Sequence, residues 1–296
     1  MRVLVTGTSG FVGRHVLAPL VATGAEVFAV SRNHLTAEGV CHIKGDLLVE
    51  GSVRPLIEAA KPDLILHLAW CVEHGRFWTN PANLDWVKAT LSLAQTASNC
   101  GVKRIVAVGT CYEYDWPEVG DCVEDETPLA AHTLYDVSKD ATRRLLQSFC
   151  HQHGIEFAWA RLFFLYGPDE VPARLVSSLA LSLLAGRPAA MSSGKAIRDF
   201  MDVRDAAAAL AQLGLSGVQG AVNIASGQAH TIREIAERLA VLSGRPDLLQ
   251  VGALADREGE PLRISACVKR LRDEVGFAGG RSLDQGLAEA LDSWRG

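Results

Sequence analysis

The chain opens with a short apolar run joined to a glycine-rich turn, and this pairing constrains the fold more than any other feature. Residues 3–5 read Val-Leu-Val, glycines stand at positions 7, 10 and 13, and an amphipathic segment covers residues 15–21. This order predicts a strand, a tight turn and a helix start, the arrangement that binds a dinucleotide pyrophosphate. Glycines let the backbone approach the phosphates, and free amides at the helix N-terminus stabilise negative charge. The alternative is a turn that only packs a helix on a strand.

The remaining pattern predicts an α/β fold. Apolar runs at 3–5, 26–30, 64–68, 104–108 and 157–160 alternate with helical patterns, of which the longest cover 81–100 and 134–153. Such alternation is typical of a doubly wound, Rossmann-type parallel sheet with helices on both faces. Beyond residue 166 we expect helices near 173–185, 203–213, 231–242 and 283–293, and a short strand at 221–224. We therefore predict a dinucleotide-binding domain over 1–165 and a mainly substrate-binding region over 166–296, with segments near 198–226 returning to the first domain.

Composition narrows the classes of partner. With 296 residues, 48% of them hydrophobic, the chain can bury a large core. The net charge is −5 and no basic run stands out, so neither nucleic acid nor an anionic membrane is a favoured partner. Seven cysteines without a Cys-x-x-Cys pair indicate reduced thiols and no metal site. No leader pattern and no run near the ~18 apolar residues of a membrane span is present, which predicts a cytoplasmic protein that binds small molecules.

The end of the second predicted strand favours NADP(H) over NAD(H). An acid at this position favours the free ribose hydroxyls of NAD, whereas an arginine accommodates the extra phosphate of NADP. Here the corner carries Ser31 and Arg32 and no acid. The alternative is an ordinary exposed arginine on a loop. Asp46 follows the third strand, where it either approaches the adenine or caps a turn. The full set of predicted cofactor contacts is Thr6, Gly7, Ser9, Gly10, Phe11, Val12, Gly13, Ser31, Arg32, Asp46, Leu47, Leu68, Ala69, Trp70, Tyr135 and Lys139.

Tyr135 and Lys139 are the candidate catalytic pair. They stand four residues apart at the start of a predicted helix and therefore share one face. A nearby cation lowers the pKa of a tyrosine towards the range that a general acid or base requires. Thr110 follows the strand that ends near residue 108 and completes the set. Taken alone, the Tyr/Lys pair has a plain alternative, which is an exposed pair on a helix surface.

Together these motifs resemble the extended short-chain dehydrogenase/reductase family, in its branch of nucleotide-sugar epimerases, dehydratases and ketoreductases. The resemblance covers nearly the whole chain and rests on Gly7, Gly10, Gly13, Asp46, residues 67–69, Thr110, Tyr135, Lys139, Arg161 and segments 166–168, 198–203 and 223–227. It implies that Tyr135 exchanges a proton with a sugar oxygen, that Thr110 hydrogen-bonds the same oxygen, and that Lys139 holds the nicotinamide ribose. It also implies a nucleotide-sugar substrate and a homodimer built from the helices near 83–100 and 134–153. Ala89, Leu93 and Ala97 form a stripe that either packs against a partner or faces its own sheet.

Departures from the family pattern narrow the reaction. Family dehydratases place Asp-Glu directly after the threonine, whereas this chain has Cys111 and Tyr112, so dehydration is not expected. Glu113 comes one position late and, on a strand, would point to the opposite face. Phe164 replaces an asparagine that meets the substrate phosphate in many relatives. The absent acid at the second strand argues against a tightly held NAD.

Substrate contacts are predicted at both sides of the cleft. Glu73 and His74 lie in a loop after the fourth strand, where they touch the sugar or belong to a surface loop that covers the core. Cys111 and Tyr112 adjoin Thr110 on this side. Arg198 matches the family arginine on the substrate diphosphate, with a structural salt bridge to Asp202 or Asp205 as its alternative. A second phosphate contact is expected from either Arg263 or Arg257, and the sequence leaves both open.

The sequence thus predicts NADPH-dependent reduction of a nucleotide-linked 4-keto sugar or deoxysugar. A nucleotide-sugar epimerase is the alternative, because the same residues could return the hydride to the opposite face of the sugar. A non-catalytic dinucleotide-binding sensor or scaffold is a more remote alternative. Such a protein needs no proton donor, whereas this chain carries Thr110, Tyr135 and Lys139.

Overall fold

The computed structural model describes residues 1–34 and 36–295. Its strands are β1 (Arg2–Thr6), β2 (Glu26–Ser31), β3 (Val40–Lys44), β4 (Leu64–His67), β5 (Arg104–Thr110), β6 (Glu156–Leu162), β7 (Phe164–Tyr166), β8 (Ala189–Met191), β9 (Ile197–Asp202), β10 (Gly220–Ile224), β11 (Ala229–Thr231), β12 (Leu249–Val251) and β13 (Arg263–Ile264). The α-helices are α1 (Gly13–Ala22), α2 (Val53–Ala60), α3 (Ala82–Asn99), α4 (Leu134–Gln152), α5 (Leu175–Leu184), α6 (Val203–Leu215), α7 (Ile232–Leu242), α8 (Lys269–Asp273) and α9 (Leu283–Trp294).

A seven-stranded parallel sheet forms the centre, in the order β10-β6-β5-β4-β1-β2-β3. Val3 of β1 pairs with Val27 on one side and with Leu64 on the other. The strand order therefore reverses between β1 and β4, and in a doubly wound sheet ligands bind at the carboxyl ends of the strands at such a point. The predicted Rossmann-type fold is confirmed.

Two hydrophobic cores cover the faces of this sheet. Val3 and Val5 point to one face and pack with α1 and α6, whereas Leu4 points to the other face and packs with α2, α3 and α4. Alternate residues of a strand face opposite sides, so both faces of a central strand must be apolar. This explains why the first strand reads as a continuous apolar run.

The stripe of Ala89, Leu93 and Ala97 belongs to the second of these cores. The three side chains are at most 6% exposed and lie among residues of the central sheet. The interpretation of this stripe as a surface for a partner subunit is therefore wrong. The physical reason is that α3 needs its small residues to approach its own sheet closely.

The later part of the chain builds two small sheets beside the large one. Strand β9 pairs with β7, β11 and β13, and β8 pairs with β12. Helices α5, α7 and α9 enclose a third core around residues such as Leu179, Leu239 and Leu287. Strand β10 joins the edge of the large sheet by pairing with β6. Among the helices described, none is long and apolar enough to cross a membrane.

Candidate functional site

The glycine turn after β1 is shaped for close approach to other backbone. Gly7 has φ of +75°, and a Cβ added there would lie 2.6 Å from the Ala69 nitrogen and 2.7 Å from the Leu68 carbonyl carbon. Thr6 ties the same two strands together, because its hydroxyl lies 2.8 Å from His67 Nδ1. No side chain caps the start of α1, so the positive end of the helix dipole faces the glycine turn without a competing side chain. These features fit the pyrophosphate of a dinucleotide cofactor.

The corner after β2 is built around a buried serine. The Ser31 hydroxyl donates to the Asn33 carbonyl oxygen at 2.5 Å and lies 2.9 Å from His42 Nε2. Arg32 is exposed and, among the described residues, pairs with no acid. At the end of β3, Asp46 accepts a hydrogen bond from the Leu48 amide at 3.0 Å. The turn-capping role of Asp46 is therefore present, and Leu47 beside it is buried.

Helix α4 brings the candidate catalytic residues together. Thr133 caps the helix in a reciprocal arrangement with Asp136, which fixes the first turn. Tyr135 is 7% exposed and lies beside Thr110 at the end of β5. Lys139, 4% exposed, donates to the Val108 carbonyl oxygen at 2.9 Å. The alternative of an exposed helix pair is wrong, because both side chains point into the protein beneath the sheet edge.

Burial dominates the electrostatics of this group. It raises the pKa of Tyr135, with a further rise from the nearby Glu113 carboxylate, while the neighbouring Thr110 side chain acts in the opposite direction. Burial lowers the pKa of Lys139 to about 7, and Glu113 opposes this shift. The pKa of His67 falls to about 3 for the same reason, so its neutral ring bridges Thr6 and Thr90.

The loop after β4 covers the tyrosine. The Tyr135 amide donates to the Trp78 carbonyl oxygen at 3.1 Å, and the Phe77 ring stands edge-on to the Tyr135 ring with centroids 4.8 Å apart. Glu73 and His74 lie exposed at the outer end of this loop, where Glu73 pairs with Arg76 at 3.1 Å. The two predicted sugar contacts are thus exposed to solvent. The aromatic end of the same loop, which sequence reasoning did not single out, contacts Tyr135 directly.

Aromatic side chains continue from this loop across the cleft. The ring of Tyr112 lies 4.6 Å from that of Trp78 and 5.4 Å from that of Trp116. Phe164 comes next, 6.2 Å from Tyr112, and the Arg198 guanidinium lies 5.5 Å from the Phe164 ring. Cys111 is buried behind them, and burial raises the pKa of its thiol well above the usual value. At the two positions where family dehydratases carry acids, this site offers a thiol and a phenol.

Arg198 pairs with a distant acid. Its guanidinium donates to Glu260 Oε1 at 2.9 Å and to the Ile197 carbonyl oxygen at 2.8 Å. The predicted alternative partners are engaged elsewhere, Asp202 with Arg204 and Asp205 with Arg281. That alternative is wrong, because the hydrogen bonds at the starts of α6 and α9 hold both aspartates.

Arg263 is also engaged within the chain. It donates to Asp121 at 2.8 Å and to the Gly120 carbonyl oxygen at 2.9 Å. A substrate phosphate would therefore have to displace an existing ion pair from this side chain. Within residues 1–34 and 36–295, no group of His, Cys, Asp or Glu is arranged to hold a metal ion.

The fold and this cleft define a dinucleotide-dependent enzyme of the extended short-chain dehydrogenase/reductase type. The sequence model of the NAD dependent epimerase/dehydratase family matches residues 3–225, and the chain belongs to this family. The membership predicted from the motifs is confirmed.

Relatives of known activity share about a quarter of their residues with this chain. It is 26% identical to a dTDP-glucose 4,6-dehydratase of Xanthomonas campestris, over 98% of this chain and 92% of that protein. It is 27% identical to UDP-glucuronic acid decarboxylase 1 of Xenopus tropicalis, over 99% of this chain and 72% of that protein. The prediction of a nucleotide-sugar enzyme family is thus confirmed at this level.

Solved structures show the same architecture throughout. UDP-glucose 4-epimerase of Thermus thermophilus, in complex with NAD, has 25% identity and a TM-score of 0.88, over 100% of this chain and 99% of that one. MoeE5, in complex with UDP-glucuronic acid and NAD, has 28% identity and a TM-score of 0.85 over the same shares. These neighbours bind NAD.

Proposed function

We propose that this protein reduces a nucleotide-linked 4-keto sugar or deoxysugar with NADPH. The observation that carries the reduction is the buried group of Thr110, Tyr135 and Lys139 at the carboxyl end of the sheet, without an acid at positions 111 and 112. Such a group can move a proton at a sugar oxygen, and it lacks the second acid that the elimination of a hydroxyl requires. The choice of NADPH rests on the exposed Arg32 and on the absence of an acid at the corner after β2.

In the proposed mechanism, the hydride for the carbonyl carbon would come from NADPH when it is bound. Tyr135 gives its hydroxyl proton to the carbonyl oxygen, and the Thr110 hydroxyl donates a hydrogen bond to the same oxygen. The Lys139 ammonium stabilises the tyrosinate that remains, and the proton is then replaced from solvent. The Gly7 turn and the N-terminal end of α1 would hold the pyrophosphate, with Arg32 on the ribose phosphate.

The aromatic loop has a part in this proposal. Phe77 and Trp78 cover Tyr135 and would exclude water from the carbonyl once the substrate is bound. Glu73 and His74 stand exposed on the same loop, and we propose that they contact the sugar. Arg198 would contact the diphosphate after exchanging its hydrogen bond with Glu260, and Arg263 would do so after leaving Asp121.

Nucleotide-sugar epimerisation is the second candidate, and the comparisons favour it. The Thermus thermophilus epimerase holds NAD and shares the fold over its full length. An epimerase would return the hydride to the opposite face of the same carbon and would consume no cofactor.

One assay separates the two reactions. The protein is incubated with NADPH and dTDP-4-keto-6-deoxyglucose, and NADPH absorbance is followed while the product is analysed by NMR. One NADPH oxidised for each new hydroxyl supports the reductase. Inversion of a UDP-hexose without loss of NADPH, by protein that retains NAD through purification, contradicts the reductase and supports the epimerase.

A homodimer is part of the proposal. Helices α3 and α4 pack together, and both leave large apolar side chains in solvent, with Leu84 51%, Val137 46% and Leu145 50% exposed. Val137 and Leu145 are eight residues apart and share one face of α4. Pairing of these helices with the same helices of a second copy would cover this face.

A further inference from the structure

Glu113 is a buried carboxylate that has no role in the mechanism proposed above. It lies in a 3-10 turn, Cys111–Glu113, that follows β5, and its side chain is fully buried. Because β5 ends at Thr110, the alternation of a strand does not apply at this position. On the turn, the side chain folds back under the end of β5 towards Trp159 and Arg161 of β6.

Four hydrogen bonds fix this carboxylate. Oε1 accepts the Thr110 amide at 2.9 Å and the Trp159 indole N–H at 2.9 Å. Oε2 accepts the same indole N–H at 3.0 Å and Arg161 Nε at 2.9 Å. A buried charge is costly unless it is paired and hydrogen-bonded, and here both oxygens are satisfied.

Neighbouring strands supply these donors. Arg161 is the register partner of Gly109 on β5, and it also donates to the Tyr114 hydroxyl at 2.9 Å. Tyr114 in turn donates to Asn223 of β10 at 2.7 Å. The network therefore links β5, β6 and β10. It also requires a glycine at position 109, because a Cβ there would overlap both the indole nitrogen of Trp159 and the carboxylate.

The network ends at the residue that contacts the reacting group. Glu113 and Thr110 cap the turn reciprocally, with Thr110 Oγ1 accepting the Tyr112 amide at 3.3 Å. Thr110 in turn lies beside Tyr135, close enough for its side chain to lower the pKa of that phenol. We propose that Glu113 is a positioning residue, which holds Thr110 and through it the Tyr135 hydroxyl in the geometry for proton transfer. This proposal rests on the carbonyl or hydroxyl chemistry proposed for the same site.

The charge of Glu113 acts on both members of the pair as well. It favours the protonated form of Tyr135 and the ammonium form of Lys139, which are the forms that the reduction uses at its start. A neutral side chain of the same shape would lose this effect while filling the same space.

The test compares Glu113→Gln with Glu124→Gln. The glutamine at 113 keeps an oxygen for the Thr110 amide but turns an NH₂ group towards Arg161. The hydrogen bond with Arg161 is then lost, and Thr110 is held less firmly. Glu124 is also a buried carboxylate of this network, where it accepts the Asn223 amide at 2.9 Å without touching Thr110. Both variants are expected to have a lower melting temperature than the wild type. Only Glu113→Gln is expected to lower kcat, by about 10- to 100-fold, with the sugar KM within about twofold. Equal loss of kcat in both variants, or a rise in KM alone, would overturn the proposal.

A second measurement needs no turnover. The chain has four tyrosines, so ring-13C tyrosine labelling gives few signals, and Tyr135→Phe identifies the one from Tyr135. We expect Glu113→Gln to shift the Tyr135 signal and Glu124→Gln to leave it in place. An unshifted Tyr135 signal in Glu113→Gln overturns the positioning role. A shifted signal in a protein that neither reduces nor epimerises nucleotide sugars would leave this role standing and remove the proposed function.

Discussion

The ammonium of Lys139 lies 3.8 Å from the centroid of the Trp70 ring, with its hydrogen bond going to the Val108 carbonyl oxygen. A cation over an aromatic face is attracted by the ring quadrupole, and this attraction is larger when water is excluded. Neither contact supplies a negative charge. The loss of solvation on burial is therefore the larger effect, and it lowers the pKa of Lys139 to about 7.

This lowered pKa predicts a pH dependence of stability. Between pH values of about 7 and 10.5 the unfolded chain binds a proton at Lys139 that the folded protein does not. Stability therefore rises with pH in this window, relative to a variant without the titrating group, by up to about 1.4 kcal/mol per pH unit. Urea unfolding of the wild type and of Lys139→Met at several pH values measures this difference. A difference that stays constant with pH would show that the lysine titrates normally.

The proposed proton donor is tested by Tyr135→Phe. Removing the hydroxyl should lower kcat by roughly 10²- to 10⁴-fold, because the carbonyl oxygen loses its general acid. The melting temperature should change little, since phenylalanine keeps the ring that packs against Phe77 and Trp78. Tyr166→Phe is the matched control, as Tyr166 is also buried and packs with residues of α5, α7 and α9. Retained activity in Tyr135→Phe would rule out this role for the tyrosine.

Cofactor choice is tested at Arg32. Arg32→Ala should weaken NADPH binding by about 10- to 100-fold, the value of one or two hydrogen bonds between charged groups, and leave NADH binding unchanged. Fluorescence titration with both cofactors gives the two dissociation constants. Arg54→Ala serves as control, because Arg54 is an exposed arginine on α2 that pairs with Glu58. Equal affinity for both cofactors in the wild type would contradict the preference for NADPH.

The proposed dimer is tested on the exposed face of α4. Leu145→Glu places a charge on this face and should yield monomers in light scattering after size exclusion. Val241→Glu is the control, since Val241 is 68% exposed on α7 and outside the proposed interface. A wild type that is already monomeric at micromolar concentration would contradict the proposal.

The parts of the site that could be predicted are those encoded by local spacing. Tyr135 and Lys139 share a helix face whatever the rest of the chain does, and the glycine turn follows from its neighbours. Contacts between segments that are distant in the sequence leave no such spacing pattern. Glu260 reaches Arg198 across 62 residues, and the aromatic cover over Tyr135 depends on how the loop after β4 folds back. The stripe on α3 shows the same limit, because helical spacing defines a face without defining what covers it.

At the glycine turn, the cost of a left-handed backbone conformation can be separated from the cost of a Cβ that collides with its neighbours. Gly7 and Gly24 have nearly the same backbone angle, with φ of +75° and +79°, but a Cβ at Gly24 meets nothing within 4 Å. Gly24→Ala should therefore cost only the left-handed conformation, about 1–2 kcal/mol. Gly7→Ala adds a collision with the backbone at Ala69, so it should cost more and should also abolish dinucleotide binding, because β1 and β4 must move apart. Urea unfolding and cofactor titration of both variants measure the two effects. If Gly7→Ala matched Gly24→Ala in stability and still bound the cofactor, close backbone approach at this turn would not be what the cofactor site needs.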